Sequence, residues 1–391
     1  MLSEQQQRQN LNYHSLPLSA NRQRAWVEID LDALIHNVRT LKAWLNDDSK
    51  LMAVVKADAY GHGAVTVAKV ALANGADSLA VATLQESVEL RRSGIDAPIL
   101  VLGVINTVED IQAAYEWGVE PTIIGLEQAL IFGSTLKRLG KSLRVHLKLD
   151  TGMSRLGTNW QDAVPFVAGV QSQSHLQIAS IYSHFATADE SDRTVMELQQ
   201  RRFSRAIASL SAAGLKPPQV HLANSAATLN NRSSHYDLVR VGLALYGLYP
   251  APHLEGILNL KPVLQVKAKI TQVKLIPPGE GISYGRQYIT DAETKIAVVG
   301  IGYADGVPRS LSNQLQAIVN GQKVAQVGAI TMDQLMLRID HRDQVKAGDI
   351  VTLIGRQNGQ EITADNWADR LKTISWEILC GFKHRLPRIF I

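Results

Sequence analysis

The chain has 391 residues, 46% hydrophobic and 19% charged, which is room for two globular domains. A net charge of +4 with no long Lys/Arg block argues against nucleic acid as the main partner; Arg91-Arg92 and Arg201-Arg202 read as pairs on solvated helix faces. Its single cysteine, Cys380, excludes an intrachain disulfide and fits a reducing, cytoplasmic setting, and no run approaches the roughly 18 apolar residues of a membrane span.

Residues 1–24 are rich in Gln, Asn and Arg and lack an apolar h-region, so they read as a disordered tail rather than a secretory signal. Residues 25–30 read as a strand that precedes the main repeat and pairs with the C-terminal part. A helix follows, with Leu31, Leu34, Ile35, Val38, Leu41 and Leu45 on one face and Asp30 as its N-cap. Short apolar or β-branched runs then recur at 51–55, 78–82, 98–103, 120–125, 142–150, 177–185, 219–224 and 238–246. Helical patterns at 83–92, 107–117, 126–138 and 192–213 lie between them. Eight strands alternating with helices predict an α/β chain whose residues 31–259 form a (β/α)8 TIM-type barrel, with a doubly wound open sheet as the alternative. Over 260–391 the rhythm changes to β-rich stretches at 263–274, 295–301, 316–319, 323–327, 334–340 and 349–354. Turns such as Pro277-Pro278-Gly279 and Asn320-Gly321 separate them, and one short helix is expected at 364–371, which together predict a mostly-β domain.

A barrel of this kind carries its active site at the C-terminal ends of its strands, and the polar residues there are dense. The first strand ends at Lys56, with Tyr60 four residues on and Gly61 and Gly63 behind it. A lone strand-end lysine is ordinarily solvated, yet an amine in that position is suited to Schiff-base chemistry with an aldehyde cofactor. The fifth strand runs into Lys148-Leu149-Asp150-Thr151-Gly152-Met153-Ser154-Arg155, and the sixth into Ser183-His184-Phe185-Ala186-Thr187-Ala188-Asp189. The seventh ends in Ala223-Asn224-Ser225, and the eighth carries Val239-Arg240-Val241-Gly242-Leu243. An arginine inside an apolar strand demands a specific partner, so Arg240 stands out.

In order along the chain, Val55-Lys56-Ala57-Asp58-Ala59-Tyr60-Gly61-His62-Gly63, Leu149-Asp150-Thr151-Gly152-Met153, His184-Phe185-Ala186-Thr187-Ala188-Asp189, Ala223-Asn224-Ser225-Ala226, Arg240-Val241-Gly242 and Gly302-Tyr303-Ala304-Asp305-Gly306 resemble the alanine racemases of fold-type III, from about Arg24 to Ile391. The resemblance implies a homodimer with its active site at the subunit interface and pyridoxal 5′-phosphate (PLP) carried on Lys56. It implies that Tyr60, Ser225 and the backbone of Gly242 and Leu243 meet the cofactor phosphate, with Asn224 among the cofactor-binding residues. Arg240 then faces the pyridine nitrogen with His184 behind it. An arginine there only donates, which leaves that nitrogen neutral and disfavours side reactions such as transamination. By the same resemblance Lys56 is the base on one face of the substrate. Tyr284, from the partner subunit, is the base on the other.

The segment Thr331-Met332-Asp333-Gln334 also matches, which implies that Met332 and Asp333 of the partner subunit line the pocket and receive the substrate carboxylate opposite Arg155. Lys148 matches a lysine carbamylated in some members, and Tyr303, Arg309 and Asp189 match a substrate corridor. One departure is His384, which precedes Arg385-Leu386-Pro387-Arg388 where the family usually has a tyrosine on the phosphate; imidazole can still donate there. The activity implied is two-base interconversion of L- and D-alanine, supplying D-alanine for peptidoglycan, with no metal. A racemase of serine or of broader range, a non-catalytic PLP-binding protein and a fold-related basic amino-acid decarboxylase are the alternatives. The decarboxylase calls for a carboxylate where Arg240 stands.

Overall fold

The computed structural model describes residues 24–340, 344–382 and 384–391, so the tail expected over 1–24 lies outside the described residues except for Arg24. The described chain divides into two compact units. One is Leu31–Val263; in the other, residues 24–30 join Leu264–Ile391.

In chain order β1 (Ala25–Ile29) and α1 (Leu31–Trp44) lead into eight further strands: β2 (Lys50–Val54), β3 (Ser78–Val81), β4 (Ile99–Val101), β5 (Glu120–Ile123), β6 (Leu143–Asp150), β7 (Leu176–Tyr182), β8 (Gln219–His221) and β9 (Leu238–Val241). They pair in parallel in the order β5-β4-β3-β2-β9-β8-β7-β6, and β6 pairs back onto β5, which closes the barrel expected from the sequence. The strands are buried almost throughout because parallel strands are covered on both faces, which is why they read as continuous apolar runs.

Some of the helices between them start on sequence-readable caps, Thr83, Thr107 and Asn224. At Leu84–Arg92, Thr83 Oγ1 accepts the Glu86 N–H at 3.3 Å while Glu86 takes the Thr83 N–H at 3.0 Å. Helices Ala64–Ala73 and Ala163–Gln171 were not among the periodic segments, and their sequences explain it. AVTVAKVALA and AVPFVAGVQ are apolar on more than one face, so the helical period is faint. The eighth barrel strand stops at Val241, short of the expected 246. Gly242 turns the chain, and Leu243–Tyr246 is a 3-10 turn.

In the other unit the long strand β10 (Leu264–Ile276) is the hub. It pairs antiparallel with β1 (Ala25 opposite Ala268, Ile29 opposite Leu264) and with Thr294–Val299 and Ile350–Gln357. The strand Arg388–Phe390 lies parallel to β1 on its other side. The hairpin Gln316–Val319 to Gln322–Ala325 turns on Asn320 and Gly321, both at positive φ as a two-residue turn requires. Ala364–Leu371 is a helix, and the sequence reading missed a second short one at Ser375–Gly381.

Candidate active site

Lys56 leaves β2 into an unusual backbone. Ala57, Asp58, Ala59 and Tyr60 all have φ between 51° and 55° and ψ between 38° and 51°, a turn of left-handed helix built from four non-glycine residues. Each L-residue there is uphill by roughly 1–2 kcal/mol, so the surroundings must hold the turn. Glu86 accepts the Ala57 N–H at 2.6 Å, Asp58 accepts the Ala64 N–H at 2.7 Å, and the Ala59 N–H reaches Val55 O at 2.9 Å. The turn brings the half-buried Lys56 and the buried Tyr60 to the same barrel mouth. The Tyr60 ring lies 5.0 Å from that of Tyr246, whose hydroxyl is tied to Val54 O.

Tyr60 also explains Gly242. A Cβ at 242 would sit 2.4 Å from the Tyr60 hydroxyl, so only glycine lets the two segments approach. The turn at Gly242 aims backbone N–H groups inward. Ser225 Oγ accepts from Gly242 N at 3.0 Å and from Ala244 N at 3.5 Å, which leaves its own hydrogen to donate elsewhere. Leu243 lies between them and is buried. Asn224 caps the following helix, its Oδ1 accepting the Ala227 N–H at 3.1 Å.

Arg240 is buried on β9 and has only neutral acceptors. Nη2 donates to Ser183 O (2.7 Å), Leu222 O (3.0 Å) and His184 Nδ1 (3.2 Å), and Nη1 donates to His221 Nδ1 (2.9 Å). Among the described residues its Nε has no partner. Burial lowers its pKa to about 10, which still leaves it a cation at neutral pH. Burial, reinforced by the charges of Arg240, Lys148, Arg155 and Lys56, holds His184 well below the ordinary imidazole range, so its ring is neutral.

Lys148, buried on β6, makes no hydrogen bond among the described residues. Its Nζ lies 5.3 Å from the centre of the Tyr182 ring. Burial, then Arg240 and Arg155, pulls Lys148 down to about 8 against the opposite pull of Asp150. Arg155 is exposed just beyond, also without a partner among the described residues. The nearby Asp150 is occupied, since one of its carboxylate oxygens takes the N–H groups of Gly152, Met153 and Ser154.

The sequence reading missed two residues here. His221 is the nearer histidine to Arg240, and Tyr182 stacks on it at 4.8 Å while its hydroxyl bonds Thr122. Burial pushes the Tyr182 phenol up to about 12, so it stays protonated. Both sit inside runs that look like plain strand; a polar or aromatic residue just before a motif was the only available signal.

The remaining site candidates belong to the other unit. Tyr284 is 73% exposed on a turn whose neighbours Ser283 and Gly285 have positive φ. Met332 is 53% exposed, and the backbone around it is pinned: the Tyr303 N–H bonds Thr331 O and the Ala304 N–H bonds Met332 O, each at 3.0 Å. A Cβ at Gly302 would collide with that same backbone at 2.3 Å. Asp333 accepts from Arg385 Nη2 at 2.7 Å, and the fully buried Asp305 accepts from both terminal nitrogens, Nη1 and Nη2, of Arg24. His384 is exposed beside Arg385.

Comparison with known proteins meets this geometry. Family models described as alanine racemase, N-terminal domain, and alanine racemase, C-terminal domain, match residues 29–250 and 263–390. An alanine racemase of Synechocystis sp. is 60% identical over 95% of this chain and 100% of its own. A solved alanine racemase of Clostridium difficile superposes with a TM-score of 0.90 at 37% identity, covering 94% of this chain and 96% of that one. That of Bacillus anthracis with bound L-Ala-P superposes with a TM-score of 0.89 at 40% identity, covering 94% and 95%. The chain therefore belongs to the alanine racemase family, isomerases that act on alanine.

Proposed function

We propose that this chain interconverts L- and D-alanine with PLP held on Lys56, by proton removal on one face and return on the other. The observation that carries the reading is the set of cations at the barrel mouth. Arg240, Arg155 and Lys56 all act on Lys148, while Arg240 has only neutral acceptors and Lys148 has none among the described residues. Such a mouth calls for anions, and a dianionic phosphate and a substrate carboxylate answer it.

The donors fit PLP. The Lys56 amine suits its aldehyde. The Tyr60 hydroxyl, the Ser225 hydroxyl and the N–H group of Leu243 suit its phosphate, with the Gly242 N–H holding Ser225 Oγ in place and Asn224 holding the helix start beside them. Arg240 Nε–H is a donor for the ring nitrogen, and the neutral His184 beside it adds no charge there. Bound, PLP supplies an electron sink that makes the α-proton of an amino acid removable.

The chain supplies the rest. Lys56 Nζ moves the proton on one face, and the Tyr284 hydroxyl of the partner subunit moves it on the other. Arg155 holds the substrate carboxylate. Met332 and Asp333 of the partner subunit offer it backbone N–H groups, since the Asp333 side chain is tied to Arg385. In this reading the enzyme is a cytoplasmic homodimer that supplies D-alanine for peptidoglycan.

The test is L-alanine in deuterated water with chiral separation and mass detection. Deuterated D-alanine approaching an equal mixture is expected. Bound PLP with neither exchange nor inversion would remove alanine as the substrate and turn the search to serine and other amino acids.

Lys148 carries a further part of the proposal. An amine with a pKa of about 8 is uncharged far more often at neutral pH than an ordinary lysine, and the uncharged amine is what takes up CO2. The carbamate that results is an anion able to hold Arg155. Protein equilibrated with 13C-bicarbonate should give a carbamate signal that grows as pH rises through the Lys148 pKa and is absent in Lys148→Arg. A wild-type spectrum without that signal above the pKa rules the modification out.

A further inference from the structure

Behind Arg240 a chain of buried polar side chains takes one residue from each of five neighbouring strands. Arg240 Nη1 on β9 meets His221 Nδ1 on β8 at 2.9 Å. His221 Nε2 meets Ser180 Oγ on β7 at 2.7 Å. Ser180 Oγ meets His146 Nδ1 on β6 at 2.5 Å, and His146 Nε2 meets Glu120 Oε2 on β5 at 2.6 Å. Arg144 Nε closes it from the rim, donating to Glu120 Oε1 at 2.8 Å. His221 and Ser180 are fully buried, and His146 is 3% exposed.

The direction of every bond follows from the two ends. Arginine only donates, so His221 Nδ1 accepts and its proton sits on Nε2, facing Ser180. A carboxylate only accepts, so His146 carries a proton on Nε2, facing Glu120. Ser180 has one hydrogen; having accepted from His221 it donates to His146 Nδ1. A second proton on His146 would leave that hydroxyl hydrogen without an acceptor in a fully buried place. The chain runs one way, from Arg240 to Glu120. Burial pushes the Glu120 carboxyl upward, but the hydrogen bond from His146 and the charge and hydrogen bond of Arg144 outweigh it and hold it below the usual range, ionised.

We propose that Ser180, His146 and Glu120 are positioning residues for Arg240: they fix His221 in its Nε2–H tautomer and so keep Nδ1 an acceptor for the guanidinium. The other tautomer would set an N–H against an N–H and push Arg240 out of place. This rests on the reading that Arg240 donates to the ring nitrogen of PLP. The acceptor that anchors its orientation then lies four strands away.

The experiment combines 15N-histidine NMR with steady-state kinetics on the PLP-loaded enzyme. In the wild type His221 and His146 are both expected as Nε2–H tautomers. Ser180→Ala cuts the chain with little change of volume. His221 should then sample both tautomers, and kcat should fall about tenfold with KM within about twofold, the loss of one orienting hydrogen bond to a charged group. Glu120→Leu should do the same from the far end, and Glu120→Gln, which keeps an acceptor for His146, should recover both signals. A wild-type His221 protonated on Nδ1, an unchanged tautomer in Ser180→Ala, or a lost tautomer with unchanged kcat each overturns the proposal. Tautomers as expected in a protein whose Lys56 takes no label on borohydride reduction with PLP would instead overturn the reading of the site beneath it.

Discussion

Lys56→Ala is expected to abolish racemisation in both directions, and Tyr284→Phe to abolish inversion while sparing exchange from one enantiomer. Lys56 leaves β2 on a turn that fixes its position, and in the proposed reaction it is both the attachment point and one of two bases. Removing a positioned base alone costs roughly 10²–10⁴ in rate, and here the attachment is lost with it. Tyr284→Phe removes only a hydroxyl proton carrier. Lys56 can still take and return a proton on its own face, so solvent deuterium should enter one enantiomer without inversion. That asymmetry separates two-base chemistry from a single base that swings between faces. Equal deuterium entry into both enantiomers in Tyr284→Phe removes Tyr284 from the second base position.

Mixing the two inactive proteins, Lys56→Ala and Tyr284→Phe, is expected to restore activity. If each site joins a Lys56 from one subunit to a Tyr284 from the other, a mixed dimer has one site with both lesions and one with neither. Random exchange makes half the dimers mixed, so about a quarter of all sites should be intact, a direct consequence of two-fold symmetry. The exposure of Tyr284 and Met332 on the described chain, 73% and 53%, fits residues meant for a second copy. Exchange can be followed independently with differently tagged subunits. Demonstrated exchange without recovery shows that no site is completed in trans.

Much of the barrel unit was legible because parallel barrel strands write themselves as apolar runs, against which a charge inside a strand stands out. Arg240 stood out as a charge inside an apolar strand, Lys56 and Lys148 took their roles from the resemblance, and the barrel closes as the alternation predicted. Tyr284 was different: on residue type alone it reads as a loop aromatic, and only the resemblance singled it out. His221, Ser180, His146 and Glu120 were not singled out at all. Each lies within a run read as strand, and what joins them is the lateral order of strands up to a hundred and more residues apart. Local pattern carries no record of that order. The left-handed turn at 57–60 was equally silent, since Ala57-Asp58-Ala59-Tyr60 contains no glycine to announce a positive φ.

That turn has a stereochemical consequence. Left-handed helix is the natural fold of mirror-image residues, so the penalty that L-alanine meets at 57 and 59 becomes a preference for its enantiomer. A chemically ligated chain carrying D-alanine at those two positions would keep the same backbone path with its strain relieved, whereas D-alanine at Ala33 in α1 would weaken that helix by roughly 1–2 kcal/mol. The protein's own stretch of inverted handedness directly follows Lys56. Glu86 and Tyr246 reach it from other elements, so the surrounding barrel, and not the local sequence alone, meets its strain.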